Sequence, residues 1–230
     1  MDWGFPVLYE EGPCLVVCKP PGLPTQAPPG IDSLEVRLKA FLQQRDAPPY
    51  EVYLGIPHRL DRPASGAMVF ATRRGPTRKL AKQFEHREVQ KIYWACVAGQ
   101  PDPPEGTWQD HVRKVYGKPE AEVVPADHPE ARLAVLHYRT LASAPWGSWL
   151  EIELETGRTH QVRIQAASRG HPLLGDFQYG STVPFGPQHA DERRRAIALH
   201  ARTLAFRHPV SKQSVSVTAP LPEFWPPFGE

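Results

Sequence analysis

The stretch His58-Arg59-Leu60-Asp61-Arg62-Pro63-Ala64-Ser65-Gly66 sets a single carboxylate between two arginines and runs straight into Ala67-Met68-Val69-Phe70-Ala71. Pro63 and Gly66 mark a turn, and the apolar run behind them has the length and composition of a buried strand. A carboxylate flanked by cations at such a junction is held ionised, because nearby opposite charge favours its charged form. Taken alone, the arrangement serves equally well as an ion pair that staples the turn.

Upstream, Val7–Cys18 reads as one strand ending in an apolar run. It is broken by Lys19-Pro20-Pro21-Gly22-Leu23-Pro24, where the prolines withhold amides and Gly22 tolerates positive φ. Ser33 caps a helix whose Leu34, Leu38, Phe41 and Leu42 recur at helical spacing, and Pro48-Pro49 stops it. Downstream, Thr77 opens a second helix with Leu80, Ala81 and Phe84 on one face and Lys79, Lys82 and Arg87 towards the other. Lys91–Ala98 is a strand of β-branched and aromatic type. Pro101–Pro129, rich in proline, glycine and charge, reads as an irregular surface excursion with at most short strands. Arg132–Leu141, Trp149–Glu155, Ala198–Phe206 and Ser214–Thr218 supply further strands, and Gly157–Arg169 begins as a turn and continues as a helix that Gly170 ends. Pro220–Glu230 forms a capping tail whose Phe224, Trp225 and Phe228 pack on the body. With no internal repeat and no domain boundary, residues 1–230 read as one α+β domain.

Composition narrows the function. The chain has 230 residues, and its 27 prolines are scattered rather than gathered, which favours stiff loops over a proline-rich linker. No apolar run approaches the ~18 residues that span a membrane. The first residues, Met1-Asp2-Trp3-Gly4-Phe5, lack the basic and apolar regions of a secretory signal, so the expected location is cytoplasmic. The three cysteines, Cys14, Cys18 and Cys96, sit in strand-like surroundings and read as small buried hydrophobes, not as a disulfide framework or a metal site. Net charge is only +2, but Lys and Arg cluster in Arg73–Lys91, in Gly157–Arg169 and from Arg193 to Lys212, while Asp102–Glu155 is acid-rich. Converging basic segments would form a groove for a polyanion.

Three further stretches carry chemistry. Tyr93, in Lys91-Ile92-Tyr93-Trp94-Ala95-Cys96-Val97, is either a core aromatic or a surface for stacking a flat substrate. Gly157-Arg158-Thr159-His160-Gln161-Val162-Arg163 crowds polar side chains around a helix start, where unbonded amides favour anions. Gly170-His171-Pro172-Leu173-Leu174-Gly175-Asp176 specifies a tight loop that walls a site or scaffolds one.

These motifs together resemble the RluA family of pseudouridine synthases. The resemblance rests on His58–Gly66, Lys19–Pro24, Gly157–Arg163, Gly170-His171-Pro172 with Gly175-Asp176, and Leu199-His200-Ala201, in the family's order over nearly the whole chain. It implies a single catalytic domain with a mixed, mainly antiparallel central sheet flanked by helices and long loops, without a separate S4-like RNA-binding module. It also implies isomerisation of uridine to pseudouridine in ribosomal or transfer RNA, with no cofactor, no metal and no obligate protein partner; a monomer suffices.

Carried over residue by residue, Asp61 is the nucleophile or base, Arg163 its ionic partner, and Tyr93 a stacking surface for the flipped uracil. Arg59 enters the RNA stack, and Arg62, Arg158, His160 and Gln161 complete the expected RNA contacts. Local chemistry agrees: an unpaired aspartate in a closed pocket protonates, and a base must leave its stack before it can be rotated. Gln165 stands where the family often has histidine, and Ala64 where it often has threonine. Those departures bear on fine positioning or RNA preference. Two rival readings follow from the same residues: a catalytically silent RNA-binding module, and a hydrolase built on Ser65, His58 and Asp61. The second lacks the glycines of a nucleophile elbow around Ser65.

Overall fold

The computed structural model describes residues 3–226, so Phe228 lies outside the described residues. The chain forms two compact units, one from Met1–Gln90 with Ala201–Leu221, the other from Lys91–His200 with Pro222–Glu230. The class is α+β, as the sequence predicts.

The first unit is built on strands β1 (Val7–Glu11), β2 (Cys14–Lys19), β3 (Ser65–Ala71), β9 (Leu199–Arg207) and β10 (Ser214–Thr218), with helices α1 (Leu34–Asp46) and α2 (Arg74–Glu85). Pairings β1/β2, β2/β3 and β9/β10 are antiparallel. The single strand expected over Val7–Cys18 is a hairpin instead. Gly12, at φ 52°, and Pro13 make a two-residue turn that apolar content alone conceals. Strands β2 and β3 are buried along their whole length, which is why both read as unbroken apolar runs. Their side chains form a core with Leu80 of α2 and with Leu204, Phe206 and Val217. Gly66 adopts φ 118°, and a Cβ there would land on the main chain of Ala201, so β3 depends on glycine where β9 approaches.

Helix α1 begins as predicted: the Ser33 hydroxyl accepts from Val36 N–H, and Leu34, Leu38 and Leu42 are buried. Helix α2 starts a turn earlier than Thr77. Pro76 falls within its first turn, where its missing amide interrupts no helical hydrogen bond, so the helix can begin before it.

The second unit contains β4 (Gln90–Val97), β5 (Glu105–Lys114), β6 (Ala121–Val124), β7 (Arg132–Ala144) and β8 (Gly147–Leu154), and the short helix α3 (Gln161–Ala167). Antiparallel pairings run β4/β8, β8/β7, β7/β5 and β5/β6. Strand β5 corrects the expectation of an irregular excursion. Its alternating positions Trp108, Asp110 and Val112 put a carboxylate between two buried apolar residues, which breaks the apolar alternation. Asp110 is matched by Arg169 Nη1 at 2.8 Å and Gln165 Nε2 at 2.7 Å. Gly170 closes α3 at φ 79°, with His171 N–H donating to Ala166 O at 3.0 Å, as expected of a residue just past a helix. The tail packs as expected where it is described: Trp225 lies 5.2 Å from both Trp149 and Phe185, and Phe224 lies 5.5 Å from Phe185.

Candidate functional site

In the first unit the Asp61 loop is fixed through its main chain on both sides. Thr25 Oγ1 donates to Leu60 O at 2.9 Å and accepts from Leu60 N–H at 3.2 Å. On the other side, Arg62 O accepts from Gly22 N–H at 2.8 Å and from Lys19 Nζ at 3.1 Å. Ala64 N–H closes the turn onto Asp61 O at 3.2 Å. Asp61 and Arg62 are half-buried, and Arg59 is exposed.

Lys19 is the residue the sequence reading left without a role. It is fully buried, and its ammonium donates to Pro20 O at 2.9 Å, Leu23 O at 2.8 Å and Arg62 O at 3.1 Å. One acceptor per proton leaves no donor unsatisfied. Burial pushes its pKa down to about 7; the charge of Asp61 pulls it up, and that of Arg62 pushes it further down. The only sequence signal was a lysine ending the apolar run Cys14-Leu15-Val16-Val17-Cys18, where a charge is out of place.

The hydrolase reading loses its members to other duties. Ser65 is buried within β3. His58 Nε2 accepts from Val69 N–H at 3.0 Å, and its ring stacks on Phe84 at 4.3 Å. Thiolate chemistry is equally remote: burial pushes the Cys14 thiol up to about 12 and raises that of Cys96 as well.

In the second unit Arg163 is buried and lies against Asp176. Arg163 Nε donates to Asp176 Oδ2 at 2.7 Å and Nη2 to Oδ1 at 2.8 Å, the two-pronged geometry in which a guanidinium binds a carboxylate most strongly. Nη2 also reaches Gln178 Oε1 at 2.8 Å, and the guanidinium sits 4.8 Å over the Tyr179 ring. Asp176, which the sequence left open between scaffold and site, is thus an ion-pair partner of Arg163.

Tyr179 Oη accepts from Ala121 N–H at 2.8 Å and shares a hydrogen bond with His160 Nδ1 at 2.8 Å. His160 precedes α3 in the left-handed region, at φ 52°. The Gln161 amide is engaged inside the protein: Oε1 accepts from Thr156 Oγ1 at 2.7 Å and from Arg158 N–H at 3.0 Å, and Nε2 donates to Val135 O at 3.0 Å. Arg158 Nε donates to Leu133 O at 2.8 Å. Tyr93 stands half-buried on β4 opposite Ile152 of β8. The structure therefore gathers Arg158, His160, Gln161 and Arg163 around the start of α3, and Arg59, Asp61 and Arg62 on one clamped loop.

A family model described as RNA pseudouridylate synthase matches residues 13–168, which takes in the Lys19–Thr25 loop, the Asp61 loop, Tyr93 and α3. The chain belongs to the RluA-type family of RNA pseudouridine synthases. An uncharacterised RNA pseudouridine synthase from Synechocystis is 35% identical over 94% of this chain; the match spans 65% of that relative's own length. One from Zymomonas mobilis is 33% identical over 97% of this chain and 96% of its own. A ribosomal large subunit pseudouridine synthase D from Xanthomonas campestris is 36% identical over 94% of this chain and 66% of its own. Among solved structures, human RNA pseudouridylate synthase domain containing 4 superposes with a TM-score of 0.77 at 25% identity, over 95% of this chain and 89% of that one. The pseudouridine synthase fold expected from the motifs is the fold observed. Among the described residues, no helix is long and apolar enough to cross a membrane.

Proposed function

We propose that this family member isomerises a specific uridine in structured RNA, ribosomal or transfer, with Asp61 acting on a nucleotide turned out of its stack. The observation that supports this best is the clamping of the Asp61 loop. Both chain neighbours of the aspartate are tied through their main chain to the Lys19–Thr25 loop. A carboxylate that must meet one sugar carbon gains from a position set before substrate arrives.

In the reaction the bond between C1′ and N1 breaks, the uracil turns within its pocket, and C5 joins C1′. We assign Asp61 removal of the 2′ proton as the glycosidic bond breaks, giving a glycal, and return of that proton once C5 has bonded. The proton on C5 is lost and N1 gains one, so substrate and product are isomers. Arg163 keeps Asp61 ionised, Tyr93 stacks on the displaced uracil, and Arg59 fills the gap left in the RNA stack, where arginine and aromatic faces replace lost stacking. Arg62, Arg158 and His160 contact the backbone. Gln161, whose amide is engaged within the protein, shapes the turn that presents them. The two units work as one catalytic domain in the cytoplasm, without a metal, cofactor or protein partner, and as a monomer.

The test is to map pseudouridine in total RNA from a strain lacking the gene product, complemented with the wild type or with Asp61→Ala. A site that vanishes on deletion, returns with the wild type and stays unmodified with Asp61→Ala is expected. Full rescue by Asp61→Ala would leave a silent RNA-binding role for the aspartate and sink the mechanism.

A further inference from the structure

The outer face of α2 carries charge that the fold does not neutralise. From its N-cap Arg73 to its last residue Glu85, the helix presents Arg73, Arg74, Arg78, Lys79 and Lys82 against one carboxylate, Glu85. Arg73, Arg74, Arg78 and Lys82 are all exposed, and none of the four makes an ion pair among the described residues. Lys79 donates to Pro209 O at 3.0 Å. Helices normally place acids in the first turn, where the macrodipole is positive. This one has no acid there and no side-chain cap, and begins instead with two arginines. The like charges at Arg74/Arg78 and Arg78/Lys82 are four residues apart, a spacing at which like charges destabilise a helix. A local rule broken with no compensation inside the fold points to a partner outside it.

The opposite face explains why the helix stays in place despite this. Leu80 is buried, and the Gln83 amide brackets Arg207, donating to its carbonyl at 2.9 Å and accepting from its N–H at 2.8 Å. Phe84 stacks on His58, three residues before Asp61, so α2 is seated directly on the loop that carries the proposed catalytic carboxylate. At the N-terminal turn, the Arg74 guanidinium lies 5.7 Å over the Tyr53 ring, and Tyr53 Oη donates to Thr77 Oγ1 at 3.3 Å. Gly55 lets this segment lie against α2, because any Cβ there would collide with Thr77. Arg74 is thereby held in position rather than left to wave in solvent.

We infer that this face of α2 is a second RNA-binding surface, on which Arg73, Arg74, Arg78 and Lys82 hold phosphates of the strand flanking the target uridine. The inference rests on the RNA reading proposed above. The geometry favours a polyanion over a small anion. Arg74, Arg78 and Lys82 lie at successive four-residue steps, each a rise of about 6 Å. Cations strung out over about 12 Å do not converge on a single phosphate, but suit a backbone of repeated charge.

The test compares full-length wild type, the triple variant Arg74→Gln/Arg78→Gln/Lys82→Gln, and the control Lys39→Gln, whose lysine pairs with Glu35 on α1. The probe is a fluorescently labelled, mixed-sequence RNA hairpin, titrated by anisotropy between about 50 and 200 mM salt, with melting curves beside it. The triple variant should melt no lower than wild type, since it relieves like-charge repulsion along the helix, and should bind about tenfold more weakly. Its log–log salt slope should be shallower by about 2–3, at ~0.7–0.9 per lost phosphate contact. The control should keep both affinity and slope, and the KM for substrate RNA should rise in the triple variant by the factor seen in binding. Unchanged affinity and slope in the triple variant would overturn the inference and leave the isomerase reading standing. A lost slope, with a wild type that forms no pseudouridine, would uphold the surface and sink the isomerase reading.

Discussion

Two aspartates, one in each unit, are held in opposite ways. Asp176 is held by its side chain: both carboxylate oxygens accept from Arg163, and the pair is buried. Asp61 is half-buried and held by its neighbours, with Thr25 fixing Leu60 and with Lys19 and Gly22 fixing Arg62. The difference is between a carboxylate anchored by its own side chain and one whose place is set through the backbone of its neighbours. Both Asp176 oxygens are engaged by one guanidinium inside the second unit. A loop pinned by its main chain fixes where the Asp61 carboxylate is carried, whatever its own oxygens contact.

Substitutions can break that contrast. The largest effect is expected at Asp61: Asp61→Asn should lower single-turnover pseudouridine formation by about 10²–10⁴-fold or more, the range of an acid–base group, while urea unfolding stays near wild type. Asp176→Ala should do the reverse in emphasis. It removes the buried carboxylate that accepts from both Nε and Nη2 of Arg163, a loss of about 3–5 kcal/mol in unfolding free energy. An unfolding midpoint close to wild type would mean that the pair is not structural.

Lys19 sharpens the comparison through pH. Its folded pKa of about 7 lies below the ordinary value of 10.5, so from about pH 7 to 10.5 the unfolded chain binds more protons than the folded one. Stability contributed by this site therefore rises with pH across that window, with a slope approaching about 1.4 kcal/mol per pH unit. Lys19→Met should lose this component of the slope between pH 7 and 9 in urea titrations. An identical slope in variant and wild type would assign the dependence elsewhere. The smallest effect is expected for Thr25→Val, which removes the hydroxyl clamp on Leu60: about 1–3 kcal/mol of stability and a modest fall in turnover.

Much of this architecture could be read from the chain, and what could not has physical causes. β3 was legible because it is buried on both faces, and α1 because Ser33 and the Leu34/Leu38/Leu42 spacing agree, whereas β2 was legible only as an apolar run fused to β1, its turn at Gly12-Pro13 hidden. β5 was missed because Asp110 occupies an inward position, neutralised by Arg169 and hydrogen-bonded by Gln165 from far along the sequence. The α2 start was placed at Thr77, a capping-type residue, because the observed start at Arg74 follows an Arg73 N-cap that makes no side-chain cap and so leaves no signal in the sequence. At the site, motif order singled out Asp61 and Arg163 as candidates. The role of Lys19 stayed hidden, because its three acceptors are main-chain carbonyls and carry no sequence signature. Asp176 was ambiguous for a related reason: its partner lies 13 residues away, and only the folded loop brings the two together.

The most direct test of the account measures Asp61→Asn and Asp176→Asn side by side, each for pseudouridine formed per molecule of RNA in a single turnover and for urea unfolding. Asp61→Asn is expected to unfold like wild type and to form essentially no pseudouridine. Asp176→Asn is expected to unfold at lower urea yet still turn over under conditions where it is folded. Wild-type turnover by Asp61→Asn would contradict the role proposed for Asp61.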